Sequence, residues 1–220
     1  MIPPRPRPAR LALEGRYARL EPLGQQHAQS LYAACAGAVN APRFEYLPDL
    51  PPTGVDDMAA WIDRTSKSDD PLFFAVIDRA SGRCEGRQAL MRIVPEHGVI
   101  ELGSIYWGPA IARTRVATEA FYLHARTVFD TLGYRRFEWK CNDRNAPSKR
   151  AAVRFGFTFE GVFRQHMWVK GASRDSAWYA ILDGEWPALR AEFERWLAPE
   201  NFDAAGRQRS PLDAAAGARV

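Results

Sequence analysis

The sequence predicts an α+β fold, and three observations predict it. Short apolar runs separated by Gly, Pro and Asp turns fill the first hundred residues, the pattern of an antiparallel meander. The stretch Ile100–Phe157 then reads as two successive strand–loop–helix units. With 46% hydrophobic and 25% charged residues, the 220-residue chain has an ordinary globular balance and suits one domain with a large core, or at most two small ones.

The elements follow in order. Residues 1–10, Met-Ile-Pro-Pro-Arg-Pro-Arg-Pro-Ala-Arg, read as a proline-rich tail, extended or flexible. Leu11–Leu20 is a strand or hairpin turning at Gly15, and Gln25–Cys35 a helix with Ala28, Leu31, Tyr32 and Cys35 on its apolar face. A loop rich in proline and aromatics, residues 42–52, leads to a second helix that Thr53 caps, with Met58, Trp61 and Ile62 on one face. Strands are expected at Phe73–Asp78, Gly86–Val94 and Ile100–Trp107. The helix opening at Val116–Ala120 places Ala117, Phe121, His124, Ala125, Val128 and Leu132 on one stripe, and Gly133 stops it. In the next strand Phe137, Trp139 and Cys141 face one way and Glu138 and Lys140 the other. A helix after Ser148 ends at Gly156. Thr158–Val169 and Ser176–Leu182 are paired strands joined through residues 170–175, and Glu185–Leu197 is a last amphipathic helix with Trp186, Leu189, Phe193 and Trp196 inward. Residues 201–220 form a C-terminal tail, expected to fray from Ser210, so the folded domain spans residues 11–200.

Composition narrows the function. No apolar run is long enough to span a bilayer, and no apolar segment follows the basic N-terminus, so neither a membrane partner nor a secretory signal is expected. Cys35, Cys84 and Cys141 are far apart and odd in number, which suggests no disulfide framework or zinc site. They read as buried small hydrophobes in a reducing, cytoplasmic compartment. No His, Cys, Asp and Glu have metal spacing, so no metal is expected, and no Ser-His-Asp order suggests a covalent route. His124 reads as a core histidine, His27 and His97 as surface residues. The net charge of +4 permits an anionic ligand, but with no dense basic stripe or motif the sequence argues against nucleic-acid binding.

A loop that opens a helix directly after a strand presents main-chain N–H groups backed by the positive end of the helix dipole. Arg113 and Arg115 add charge at such a loop, and small Ala117 lets a diphosphate approach. By spacing alone this is a generic basic loop as much as a phosphate site. At the second loop Asn145 suits an N-cap, Pro147 the first turn, and Ser148 puts a hydroxyl at the helix mouth.

These residues, with Phe155-Gly156-Phe157-Thr158-Phe159-Glu160-Gly161, Leu13-Glu14-Gly15, Leu20-Glu21-Pro22-Leu23 and Trp178–Asp183, resemble the GNAT superfamily of acyl-CoA-dependent N-acyltransferases. Within it the chain is similar to the Rim type, which acetylates N-terminal amines of ribosomal proteins, and to relatives of unassigned substrate. The likeness runs roughly from Leu11 to Leu182. It implies a mostly antiparallel mixed sheet with a splay between the fourth and fifth strands, here Glu101–Trp107 and Phe137–Cys141, and helices on both faces. It implies acetyl-CoA, or another acyl-CoA, as co-substrate. The pantetheine arm would bond the main chain of Ile105, Tyr106 and Trp107, the pyrophosphate would lie on Arg113, Thr114, Arg115, Val116, Ala117 and Thr118, and Asn145 and Ser148 would meet the thiol end. The superfamily's pyrophosphate loop, Q/R-x-x-G-x-G/A, is met here by Ala112-Arg113-Thr114-Arg115-Val116-Ala117, where only the last position fits and Arg115 replaces the usual glycine. Arg115 would bond the phosphates itself or crowd them.

The implied reaction is direct attack of a neutral amine on a thioester. Near pH 7 about 1 in 10 α-amines and about 1 in 1,000 lysine amines are neutral. Glu101 is the candidate base, acting through water, because alternation puts Glu101, Gly103 and Ile105 on one face. It reads equally as an exposed partner for a neighbouring strand. The Rim type carries a proposed general-acid serine where Ser148 stands, with Tyr106 the alternative donor and capping the alternative role for Ser148. Arg43, Phe44, Tyr46, Arg164, His166 and Trp168 are the candidates for lining an acceptor pocket. The expected partner is an amine substrate, either a small molecule or a protein N-terminus; a homodimer is left open. The alternative function is a catalytically weak CoA-binding module acting as a regulator or complex subunit, with a cofactor-free RNA or ribosome contact a third.

Overall fold

The computed structural model describes residues 3–214. Eight strands form one mixed sheet in the order β1-β2-β3-β4-β5-β6-β8-β7. They are β1 (Leu13–Glu14), β2 (Ala18–Pro22), β3 (Leu72–Asp78), β4 (Arg83–Val94), β5 (Val99–Trp107), β6 (Arg136–Asn142), β7 (Thr158–Val169) and β8 (Ala172–Leu182). The helices are α1 (Ala28–Cys35), α2 (Val55–Thr65), α3 (Arg115–Arg126), α4 (Ala146–Arg154) and α5 (Trp186–Leu197). The β5–β6 pairing is parallel, while the β1–β2, β2–β3, β6–β8 and β7–β8 pairings are antiparallel. The expected mixed, mostly antiparallel sheet is therefore present. Its expected fourth and fifth strands become β5 and β6, because the first hairpin supplies two strands. The β5–β6 pairing sets Val99, Ile100 and Glu101 against Arg136, Phe137 and Glu138.

The chain divides into two compact units. Among the described residues, one holds 7–93 and 102–124; the other holds 3–6, 94–101 and 125–214. In the first, β3 packs helices on both faces. Phe73, Ala75 and Ile77 meet α1 and α2 through Leu31, Cys35, Met58 and Ile62, while Leu72, Phe74 and Val76 meet α3 through Val116, Ala120 and Leu123. That two-sided burial makes β3 a continuous apolar run rather than an alternating one. In the second unit Phe137 packs on Phe129 and Phe157, Trp139 on Phe155 and Phe157, and Phe155 on Phe193 of α5.

Several boundaries differ from expectation for identifiable reasons. Helix α1 opens through a 3-10 turn, Gln25–His27, and part of the proline-rich loop is a 3-10 segment, Ala38–Phe44. Gly54, not Thr53, caps α2; Thr53 sits one residue earlier and bonds the Asp57 carboxylate through its N–H at 3.0 Å and its hydroxyl at 3.3 Å. Helix α3 is buried all round from Val116 to Ala125, wider than the predicted stripe, and continues as a π-turn, Thr127–Thr131. The β7–β8 connection is the two residues Lys170 and Gly171, with φ 50° and 77°. Positive φ at both positions twists a two-residue turn to match its strands, so β8 starts at Ala172 instead of Ser176.

The segments outside the sheet carry contacts. The Arg10 guanidinium donates to the carbonyls of Ser66 and Ser68, and the Arg5 N–H to Pro95 O. After α5, Asn201 donates to Trp196 O at 2.9 Å and accepts from the Ser210 N–H at 2.9 Å, while Arg195 reaches Pro211 O. Residues 210–214 are thus tied to α5 and not frayed; the remainder of the expected frayed end, 215–220, lies outside the described residues. All three cysteines are free and buried, as expected. Burial pushes the Cys35 thiol up to about 11 and that of Cys84 up to about 12. His97 is exposed as expected, but His27 is buried, its ring nitrogens 2.9 Å from Glu21 Oε2 and 3.1 Å from the Gly24 N–H.

Candidate functional site

The first unit holds the β5–α3 loop. Ile111 and Ala112 N–H bond back to Gly108 O, and Arg113 takes a left-handed φ of 63° and is exposed. The conformation that glycine usually serves thus falls on Arg113 rather than on Arg115. Thr114 caps α3, its hydroxyl accepting from the Val116 N–H at 3.2 Å and donating to Ile111 O at 2.7 Å. Arg115 lays its guanidinium over the Tyr17 ring at 4.3 Å, a cation–π contact. The Val116 and Ala117 side chains are buried, and the Thr118 hydroxyl donates back to Thr114 O at 3.1 Å. Of their main-chain N–H groups, that of Val116 is taken by Thr114 Oγ1 and that of Thr118 by Thr114 O at 3.2 Å, which leaves the Ala117 N–H to meet an anion at the positive end of α3.

Strand β5 runs into that loop. Ser104 has φ 48°, which interrupts the strict alternation expected to put Glu101, Gly103 and Ile105 on one face. Buried Arg87 braces this irregularity: its guanidinium donates to Ser104 O at 2.7 Å, pairs with Asp49 and lies over the Trp61 ring at 4.4 Å. Burial pulls the Arg87 guanidinium below its ordinary range against the opposing pull of Asp49. The Tyr106 hydroxyl is fully inside and donates to Ala34 O at 2.8 Å, and burial raises its pKa. It is committed to the core, which removes Tyr106 as the alternative thiolate donor. Trp107 Nε1 donates to Gln88 Oε1 at 3.0 Å, and its carbonyl accepts from Arg43 at 3.3 Å. Phe44 is buried against Tyr106 at 4.9 Å, a packing residue and not a pocket wall.

The second unit holds the remaining candidates. Asn145 caps α4, accepting from the Ser148 N–H at 3.1 Å. Ser148 Oγ accepts from Trp139 Nε1 at 3.0 Å, which orients the hydroxyl and leaves it its own proton to give. Glu101 is buried, its Oε2 3.1 Å from Lys140 Nζ, so it is not the exposed partner that alternation allowed. Lys140 also meets Glu138 Oε2 at 2.8 Å and the Trp178 ring at 3.6 Å. On the late hairpin His166 Nδ1 lies 2.9 Å from Ser176 Oγ, Arg164 is exposed, and Trp168 is 77% exposed.

Three residues escaped the sequence reading: Lys140 beside Glu101, Arg87 behind Ser104, and Glu119, which binds the β1–β2 turn. Glu119 was legible only as part of the run Thr118-Glu119-Ala120, with nothing to mark its carboxylate as buried. Among the described residues no group of His, Cys, Asp and Glu could hold a metal ion, and no helix is long and apolar enough to cross a membrane.

The Acetyltransferase (GNAT) domain family matches residues 18–158. A GCN5-related N-acetyltransferase from Brucella melitensis is 59% identical, each chain covering 95% of the other, with a TM-score of 0.93. A probable acetyltransferase of the GNAT family from Chromobacterium violaceum is 38% identical over 84% of this chain and 93% of its own, with a TM-score of 0.78. The fold is shared with the Microcin C7 self immunity acetyltransferase MccE, solved with acetyl-CoA and AMP, at 20% identity over 76% of this chain and 93% of that one, TM-score 0.66. No curated protein matches the chain.

Proposed function

Because the chain belongs to the GNAT acetyltransferase family, we propose that it moves an acetyl group from acetyl-CoA to a primary amine by direct attack. The observation that carries this reading is the mouth of α3, where the loop held by Gly108 O leads through exposed Arg113 into the helix that Thr114 caps, an arrangement that suits a diphosphate. Pantetheine would bond the main chain of Ile105 and Tyr106, since Trp107 O is already engaged by Arg43. The pyrophosphate would take the Arg115 and Ala117 N–H groups at the mouth of α3 with exposed Arg113 beside it, while the Arg115 side chain supports the loop through Tyr17.

In the proposed chemistry Glu101, through a water, takes the proton that the ammonium sheds. The neutral amine attacks the thioester carbonyl, the C–N bond forms and the C–S bond breaks. The nitrogen's surplus proton goes to water, and the Ser148 hydroxyl protonates the departing thiolate and regains its proton from solvent. An α-amine is the easier acceptor because it is neutral more often than a lysine; the resemblance to the Rim type favours a protein N-terminus over a small amine. Three free buried thiols suit a reducing cytoplasm.

The test is thiol release from acetyl-CoA against peptides with free N-termini and a panel of small amines. Glu101→Gln should lower kcat/KM about 100-fold near pH 7 with CoA affinity little changed. Ser148→Ala should lower kcat, whereas a loss of stability alone would leave it only a capping neighbour. A second reading, a CoA binder without catalysis, rests on the missing loop glycine at Arg115. Calorimetric CoA binding with no thiol release from any amine would favour it; neither binding nor turnover would sink both.

A further inference from the structure

Arg87 sits in β4 and is only 3% exposed. Its guanidinium is held at three points. Nη1 donates to Ser104 O of β5 at 2.7 Å, Nη2 donates to Asp49 Oδ2, and the plane lies over the Trp61 ring at 4.4 Å. Asp49 belongs to the loop before α2, and its other oxygen accepts from Trp61 Nε1 of that helix at 3.2 Å. Asp49 and Trp61 thus set the plane of the guanidinium, and the guanidinium sets Ser104 O.

Burying a cation is costly even when it is paired, and apolar side chains of the same volume often fill a core as well. What the cation adds here is direction. Ser104 has φ 48°, a conformation that its side chain disfavours and that persists only where the surroundings hold it. The Ser104–Ile105 peptide is trans, so its C=O and the Ile105 N–H point to opposite sides. The bond that fixes Ser104 O on Arg87 therefore also fixes where the Ile105 N–H points.

We propose that Arg87 is a positioning residue for the pantetheine arm: through Ser104 O it holds the Ser104–Ile105 peptide in the orientation that the arm binds. The proposal rests on the reading that pantetheine bonds the main chain of Ile105 and Tyr106. The diphosphate reading rests on other residues, those at the mouth of α3, so the two halves of CoA can be tested apart.

Calorimetry compares CoA with its own nucleotide half, ribose-phosphorylated ADP, which carries the diphosphate but no pantetheine arm. Neither ligand needs an acceptor amine. The parent protein should bind CoA more tightly than the nucleotide. Arg87→Lys keeps the charge, but one ammonium has neither the fork nor the plane to hold Ser104 O, Asp49 and the Trp61 face together. It should weaken CoA about 5- to 10-fold, the effect of one misplaced hydrogen bond, and the nucleotide less than about 2-fold. Asp49→Asn offers one acceptor oxygen to two donors, so the guanidinium loses its fixed plane and the same selective loss should appear at smaller size. A loss for CoA no larger than that for the nucleotide, in Arg87→Lys or in Asp49→Asn if the first does not fold, makes Arg87 a packing residue. It overturns the proposal and leaves the pantetheine reading intact. A parent protein that binds CoA no better than the nucleotide, or binds neither, overturns the pantetheine reading and the role of Arg87 with it.

Discussion

Glu119→Ala is expected to lower the stability of the fold by about 3–5 kcal/mol, measured as the shift in urea unfolding at constant m-value. The carboxylate is buried on α3 and accepts three consecutive main-chain N–H groups of the β1–β2 turn. Oε1 takes Arg16 at 2.8 Å; Oε2 takes Tyr17 at 2.5 Å and Ala18 at 2.6 Å. Charge-assisted bonds of this kind are about twice as strong as neutral ones. Truncation leaves donors with no acceptor, each costing about 1–3 kcal/mol if it stays dry. Glu119→Gln should cost nearly as much, because its amide turns a donor towards donors. The turn is built around this carboxylate: an ideal Cβ on Gly15 would lie 2.5 Å from Glu119 Cδ, so Gly15→Ala should reproduce part of the loss. Tyr17 leaves the same turn to carry the Arg115 guanidinium, so weaker CoA binding should accompany the loss of stability. A loss under about 1 kcal/mol would mean that water replaces the carboxylate and that the turn stands by itself.

What the sequence made legible was local. Period-two and period-3.6 patterns located the strands and helices, because each buries a face whose spacing is fixed by its own geometry. The Asn145 cap and the α5 stripe of Trp186, Leu189, Phe193 and Trp196 needed no tertiary knowledge. Pairings between distant residues were not legible. Glu119 reads as an ordinary polar position of a helix until α3 is laid over a turn a hundred residues earlier. Lys140 was correctly assigned to the face opposite Trp139, but nothing in an alternating strand tells a solvated lysine from one held between two carboxylates. Backbone conformation misled in the same way. The family's glycine aligns with Arg115, but the left-handed residue of the loop is Arg113; the one in β5 falls on Ser104, a residue type that does not announce it. Tyr106 was the alternative donor, but its side chain points into the core.

The largest pH effect on stability is expected from His124. The ring is fully buried, meets the Phe74 edge at 4.8 Å, and has Nδ1 2.9 Å from Gln88 Nε2. Gln88 Nε2 also donates to Ala120 O at 2.9 Å, so it is the donor and Nδ1 the acceptor, which places the imidazole hydrogen on Nε2. Nε2 has no partner among the described residues. Burial therefore lowers the pKa of His124 from 6.5 to about 3. In that window the unfolded chain binds a proton that the folded one refuses, so stability rises with pH. Acidification from pH 6.5 should thus cost about 1.4 kcal/mol per pH unit from this group, levelling off near pH 3. Urea unfolding at intervals between pH 7 and pH 4 measures it, with His124→Gln as reference so that the carboxylates common to both proteins cancel. The variant should be less stable at pH 7, for lost packing, and its curve flatter by that slope. Equal slopes would mean that the folded protein takes up the proton.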